Sequence, residues 1–164
     1  MRTAIVFSMI VASVAAGACG ARSSSTQLPT SRTGLARVRI DGGARPIAAE
    51  VADTDGSRTL GLGGRDALAD GAGMLFVFPR DTTPGFWMKD MRFPLDMVWI
   101  DAGKRVIGVT ADVQPQPGAT DNALALYQPP SPVQYVLELS AGAAARLGLA
   151  AGKQLSFALP SAAE

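Results

Sequence analysis

Gly73-Met74-Leu75-Phe76-Val77-Phe78-Pro79, followed by Phe86-Trp87-Met88-Lys89-Asp90-Met91 and Pro94-Leu95-Asp96-Met97-Val98-Trp99-Ile100-Asp101, is the stretch that decides the fold of this chain. Residues 73–101 hold four of the six phenylalanines and both tryptophans, yet Lys89, Asp90 and Asp96 are threaded among them. Residues 74–78 form an apolar run closed by Pro79, and its shortness and aromatic content predict a buried strand rather than a helix. Residues 86–88 and 97–100 predict two more strands, and Asp101-Ala102-Gly103 turns the second of these into a strand over 105–113.

Working outward, residues 36–41 alternate apolar and basic side chains, and Gly42-Gly43 supplies the turn of a first hairpin that returns over 47–51. Asp55 is placed to cap a short helix through Leu62, after which Gly63 to Gly71 is expected as loop. Residues 114–123, with Pro115, Pro117 and Gly118, are long enough to form a lid or rim. Tyr135-Val136-Leu137-Glu138-Leu139 predicts another strand. Ser140 is then placed to cap a short helix over 143–147 ending at Gly148, and 155–159 predicts a last strand. The fold expected is mainly β (β-rich α+β), a compact single domain over residues 35–164. Its strands are expected antiparallel, in a barrel- or sandwich-like arrangement with one or two short helices.

The N-terminus predicts export. Arg2 precedes an uncharged apolar run over residues 3–18 that ends in Ala16-Gly17-Ala18, the pattern of a signal peptide spanning 1–18. Cys19, the single cysteine, follows these small residues as in a lipobox, which makes it the expected lipid attachment site. The alternative is cleavage after the Ala-x-Ala sequence and release of a secreted or periplasmic soluble protein. Lipidation is favoured because an exported lone cysteine is otherwise an unpaired thiol. Residues 19–34 are then the anchor cysteine and a flexible polar tether, and the localisation expected is the cell envelope, held to a membrane through Cys19.

Charge and composition exclude several functions. The chain has 15 basic and 14 acidic residues, and without Arg2 the exported part is formally neutral, which argues against nucleic acid as a partner. It has no histidine, so Ser-His-Asp and Cys-His catalysis and the usual zinc sites are absent. No metal and no cofactor is expected.

The motifs quoted above, taken in order with Tyr135-Val136-Leu137-Glu138-Leu139-Ser140-Ala141-Gly142, resemble the domain of unknown function 192 family over residues 38–157. The resemblance implies a compact, mainly β fold with one or two short helices, often exported in bacteria, and brings no established activity. Two departures stand out. Lys89-Asp90-Met91 replaces the family's usual Lys-Asn-Thr, and Gly61-Leu62-Gly63-Gly64-Arg65 departs from its Gly-Leu-Met before the arginine.

The candidate ligand-binding residues are Arg58, Arg65, Trp87, Lys89, Asp90 and Asp96. Trp87 has a ring suited to stacking on a ligand, although packing in the core is the favoured expectation, as it is more strongly for Trp99. Lys89 follows Trp87 at the two-residue period of a strand and is expected on the same face. Asp96 enters an apolar strand, where an uncompensated charge is costly, so it is expected to pair with Lys89, Arg65 or Arg58. A buried ion pair and a binding or catalytic role both satisfy that requirement. Gly61 to Gly64 lacks the spacing of a phosphate cradle and is expected as a tight loop.

Two functions fit these residues. One is an envelope-associated binding or accessory module for a small polar or anionic ligand or for another envelope protein. The other is an enzyme using Asp, Lys and Arg for acid–base chemistry on a small envelope substrate. With few activated nucleophiles in the chain, the first is favoured.

Overall fold

The computed structural model describes residues 34–160. The expected signal peptide at 1–18, Cys19 and nearly all of the expected tether at 19–34 lie outside them. Arg37–Ile40 (β1) and Ile47–Ala52 (β2) form the expected hairpin, with Val38 opposite Ala49 and Ile40 opposite Ile47. Gly42 takes φ 124° in its turn, and a Cβ there would lie 2.5 Å from the Gln154 carbonyl oxygen, so no larger residue fits.

Four further strands complete one sheet: Ala72–Thr82 (β3), Leu95–Ile100 (β4), Val106–Val113 (β5) and Val133–Ser140 (β6). The order across it is β1-β2-β3-β6-β4-β5. The β-rich expectation stands, but the sheet is mixed and open rather than wholly antiparallel and barrel- or sandwich-like. β2 and β3 run parallel, while the other neighbours are antiparallel. The sheet is open, and its two edges are laced at one end by the segment after the last helix, where Ser156 bridges Asp41 and Gln154 bridges Arg105. Expected as a strand, this segment pairs only through those isolated bridges. It is otherwise held by packing of Leu155 and Phe157 and by Lys104 donating to the Phe157 carbonyl at 2.8 Å.

A parallel pair cannot close through a tight turn. The chain therefore passes from β2 to β3 over one face of the sheet, through the helix Asp55–Leu60 (α1) and a glycine-rich loop. Thr54, one residue earlier than expected, caps α1. Its hydroxyl accepts from the Ser57 amide at 3.1 Å while the Ser57 hydroxyl accepts from the Thr54 amide at 3.0 Å, a reciprocal box. The helix ends at Leu60 because Gly61 leaves helical geometry at φ 51°.

Two apolar cores lie on opposite faces of the sheet. The first gathers Val38, Ile40, Leu75, Val98, Ile100, Leu137 and Leu139 under the second helix, Ala143–Leu147 (α2), and under Leu155 and Phe157. The second gathers Met74, Phe76, Met97, Trp99 and Val136, covered by Leu62, Phe86 and Met88 from the connections between strands. Pro79, expected to end a strand, instead lies inside β3, where the pairing with β6 shifts register between Val77 and Thr82. A residue without an amide hydrogen is tolerated in such an irregular stretch.

Asp96 belongs to the first face. It is fully buried, and its two carboxylate oxygens accept from the backbone amides of Asp112 and Ala144, each at 2.9 Å. The expected ion pair with Lys89, Arg65 or Arg58 does not form, because those residues lie elsewhere. Asp96 instead satisfies an open amide in the first turn of α2, whose N-cap is Gly142 rather than Ser140, and so ties that helix and β5 to the central sheet. Replacing it with alanine would leave two amides without their acceptor. Asp96→Ala is expected to lower stability by about 2–4 kcal/mol in urea denaturation, and an unchanged midpoint would remove this anchoring role.

Candidate functional site

Strand pairing sets one row of side chains across the second face: Arg37, Glu50, Met74, Glu138, Met97 and Thr110. Glu138 alternates with Leu137 and Leu139, which fill the first core, and so must face the second. Its neighbours on both sides in the row are methionines, whose thioethers donate no hydrogen bond. The residue is 4% exposed, and among the described residues no side chain or backbone group bonds to its carboxyl. Burial without a partner disfavours the charged form and pushes its pKa up to about 8.

Glu50, two positions along the row, shows what pairing does for a comparable carboxylate. Arg65 Nη2 donates to its Oε2 at 2.7 Å, and Arg37 Nη2 lies 3.5 Å from its Oε1. Arg65 therefore pins the loop after α1 to β2 and stands behind the site rather than on its wall.

Glu138 lies at the floor of a cleft of about 1370 Å3 between the β2–β3 connection and the β3–β4 connection. Phe76 and Phe86 make the aromatic part of the floor, meeting edge to face at 4.9 Å, and Phe86 meets Trp99 at 5.7 Å. Trp99 is buried as expected, its indole N–H donating to the Thr110 hydroxyl at 2.9 Å. Gly61 to Gly64 forms one wall as a tight loop, joined to the other by the Gly64 amide donating to the Asp90 carbonyl at 2.9 Å.

Of the six candidates, Arg58, Trp87, Lys89 and Asp90 line this cleft, Arg65 stands behind it and Asp96 lies across the sheet. Trp87 departs from its core expectation. Phe86 and Met88 take the inward positions, which leaves Trp87 between them 46% exposed at the cleft. Lys89 shares its face, with Nζ 5.8 Å from the ring centroid, and pairs with Asp121 of the 114–123 loop. That hydrogen bond raises the Lys89 pKa above the ordinary lysine value. Arg58 holds α1 to the sheet by donating to the carbonyls of Asp53 at 2.6 Å and Val77 at 2.8 Å, and its guanidinium lies 5.5 Å from the Phe78 ring centroid. Asp90 adopts φ 56°, a conformation that asparagine and aspartate enter most readily. The exchange of the family's asparagine for Asp90 thus preserves the backbone while adding an ionisable side chain at the cleft.

The sequence reading missed Glu138 itself. The criterion that singles out Asp96, a carboxylate within an apolar strand, applies equally to Val136-Leu137-Glu138-Leu139. The two differ in what faces them, backbone amides in one case and two methionines in the other. Among the described residues no group of three or more His, Cys, Asp or Glu side chains is placed to hold a metal ion.

The raised Glu138 pKa has a consequence for stability. The unfolded carboxyl ionises near its ordinary value while the folded one keeps its proton up to about 8. The folded state therefore binds more protons across that window, and stability falls as pH rises through it. Glu138→Gln is expected to match wild type near pH 4 and to exceed it by ~2–5 kcal/mol above pH 8. Parallel urea curves for the two proteins at all pH values would contradict this.

Comparison with known proteins places this geometry in a family. The family model for domain of unknown function 192, an uncharacterised conserved region, matches residues 36–157. Two solved structures share the fold. One is a candidate transcription regulator from Sinorhizobium meliloti, 31% identical, covering 74% of this chain and 92% of its own with a TM-score of 0.65. The other is a protein of unknown function from Novosphingobium aromaticivorans, 28% identical, covering 76% of this chain and 88% of its own, also at 0.65. No curated protein matches the chain. The chain belongs to the domain of unknown function 192 family.

Proposed function

We propose that this protein is an envelope-associated binding or accessory module that takes a small polar or anionic ligand in the cleft above Glu138. The observation that carries the reading is a carboxyl group nine-tenths buried, without a hydrogen-bond partner, opening into a cleft lined by aromatic side chains. Folding a chain around such a group opposes stability, which is reasonable where a ligand supplies the missing partner. The cleft is also large enough for a ligand to bury most of its surface. Arg58, Lys89 and Arg92 at its walls supply hydrogen-bond donors for a polar or anionic end on the ligand.

The proton affinity of Glu138 gives a second reading some support. A carboxyl that titrates near neutral pH is suited to general acid or base work, so the acid–base alternative moves from Asp96 to Glu138. A binding role remains the better fit, because the wall's cations are engaged by carboxylates: Arg58 by Asp55, Lys89 by Asp121 and Arg92 by Asp66. The same pairing, with a whole-chain formal charge of +1, gives no footing for carrying the regulator description of one relative to this chain.

A thermal-shift screen of the full chain against small polar and anionic compounds tests the module. Saturating binders are expected to raise Tm by ~5 °C, with the shift reduced in Trp87→Ala. No shift for any compound would count against a small-molecule site. Conversion of a bound compound by wild type but not by Glu138→Gln would favour the enzyme.

The envelope part of the proposal rests on Cys19 as a lipid anchor. Cys19→Ala is expected to move the protein from the membrane to the soluble fraction of cells that express it. Unchanged fractionation would sink the anchor.

A further inference from the structure

A protonated carboxyl offers two hydrogen-bonding atoms on one edge, an O–H donor and a carbonyl acceptor. In Glu138 both are open to the cleft. Neither oxygen has a partner, and the buried, unpartnered side-chain polar atom found among the described residues is Arg37 Nε, at the far end of the row. We infer that the cleft selects small molecules bearing an amide or carboxylic acid group on an apolar body, the planar group pairing edge-on with Glu138, and that it rejects organic amines. The inference rests on the binding reading above and narrows it to a ligand class.

The surroundings of Glu138 supply the argument. Met74 and Met97 flank it, Phe76 and Phe86 share the floor and Leu62 lines the same cleft, so no other polar side chain completes a hydrogen-bonding set beside it. An incoming group must satisfy donor and acceptor together, because either one left unpaired in an apolar floor is penalised. An amide or a carboxylic acid carries both at the required spacing. Its apolar body then lies toward the exposed side chains at the mouth, Trp87 and Leu60.

The carboxylates at and beside the wall offer an amine little: Asp55, Asp121 and Asp66 are already engaged by Arg58, Lys89 and Arg92, and Asp90 acts on Lys89. Arg58 lies over the Phe78 ring and Lys89 over the Trp87 ring, so aromatic surface that would attract an ammonium already faces a fixed cation. Glu50 lies beyond Met74 and is engaged by Arg65 and Arg37. Strands β3 and β4 present only methionine and aromatic side chains to Glu138, and α1 contributes Asp55 and Arg58 at the wall. None of these groups bonds to the Glu138 carboxyl, so its own proton decides which ligands match.

Three probes with one aromatic body test this: phenylacetamide, phenylacetic acid and phenethylamine, titrated into the full chain with Trp fluorescence and heteronuclear NMR as readouts. Phenylacetamide is expected to bind wild type at pH 6.5 with a millimolar Kd, as its size allows, and at least tenfold more weakly at pH 9.5. Glu138→Gln keeps a donor and an acceptor and is expected to bind it equally at both pH values, whereas Glu138→Met loses it. Phenylacetic acid is expected to bind below pH 5 and phenethylamine not at all. Tighter binding of phenethylamine, or retention of phenylacetamide by Glu138→Met, would overturn the selection while leaving a ligand cleft in place. If compounds from the broad screen perturb Trp87 but phenylacetamide does not, the inference fails alone. If nothing perturbs Trp87, both fail.

Discussion

Strands β2 and β3 lie side by side and point the same way, and much of the molecule follows from that arrangement. An antiparallel partner could have been reached through a hairpin, leaving the second face free for a regular layer. A parallel partner forces the chain across the sheet. The crossing here holds one short helix and the Gly61–Gly64 loop, too little to cover the face it traverses. The β3–β4 connection meets it from the other side with Phe86 and Met88 turned inward. Between the two a cleft remains, and the residue beneath it is Glu138.

The chemistry of the cleft arises from the contrast between three buried carboxylates. Asp96 has two backbone amides, Glu50 has two arginines, and Glu138 has two methionines beside it. A buried charge is tolerated when hydrogen bonds or opposite charge replace water, and otherwise the group keeps its proton. The first two therefore stabilise the fold, while the third opposes it at alkaline pH. The charged groups around the cleft neutralise one another locally and leave the polarity of the floor to Glu138.

Much of this architecture was legible in the sequence. Alternation and turn chemistry gave the β1–β2 hairpin and the strands around Met74, Met97 and Val136, and family motifs fixed the class of fold. The parallel pairing was not legible, because strand direction depends on which faces the crossover can cover, a non-local property. Trp87 was assigned inward since a run of Phe, Trp and Met does not say which members point to the core; Phe86 and Met88 settle it by packing on Trp99 and its neighbours. Asp96 was recognised as a carboxylate needing compensation, but backbone amides are invisible in a sequence and an ion pair was expected in their place. Glu138 met the same criterion within β6, and only the pairing register reveals that its neighbours cannot satisfy it.

The central claim is that Glu138 is an unpaired, protonated carboxyl at the floor of an open cleft. The most direct test is to follow the side-chain carboxyl carbon of Glu138 by NMR through a pH titration, assigning the resonance by its loss in Glu138→Gln. The account predicts titration near pH 8, well apart from the other carboxylates. A midpoint near 4 would show that water or an unrecognised partner solvates the charge, and would contradict the account.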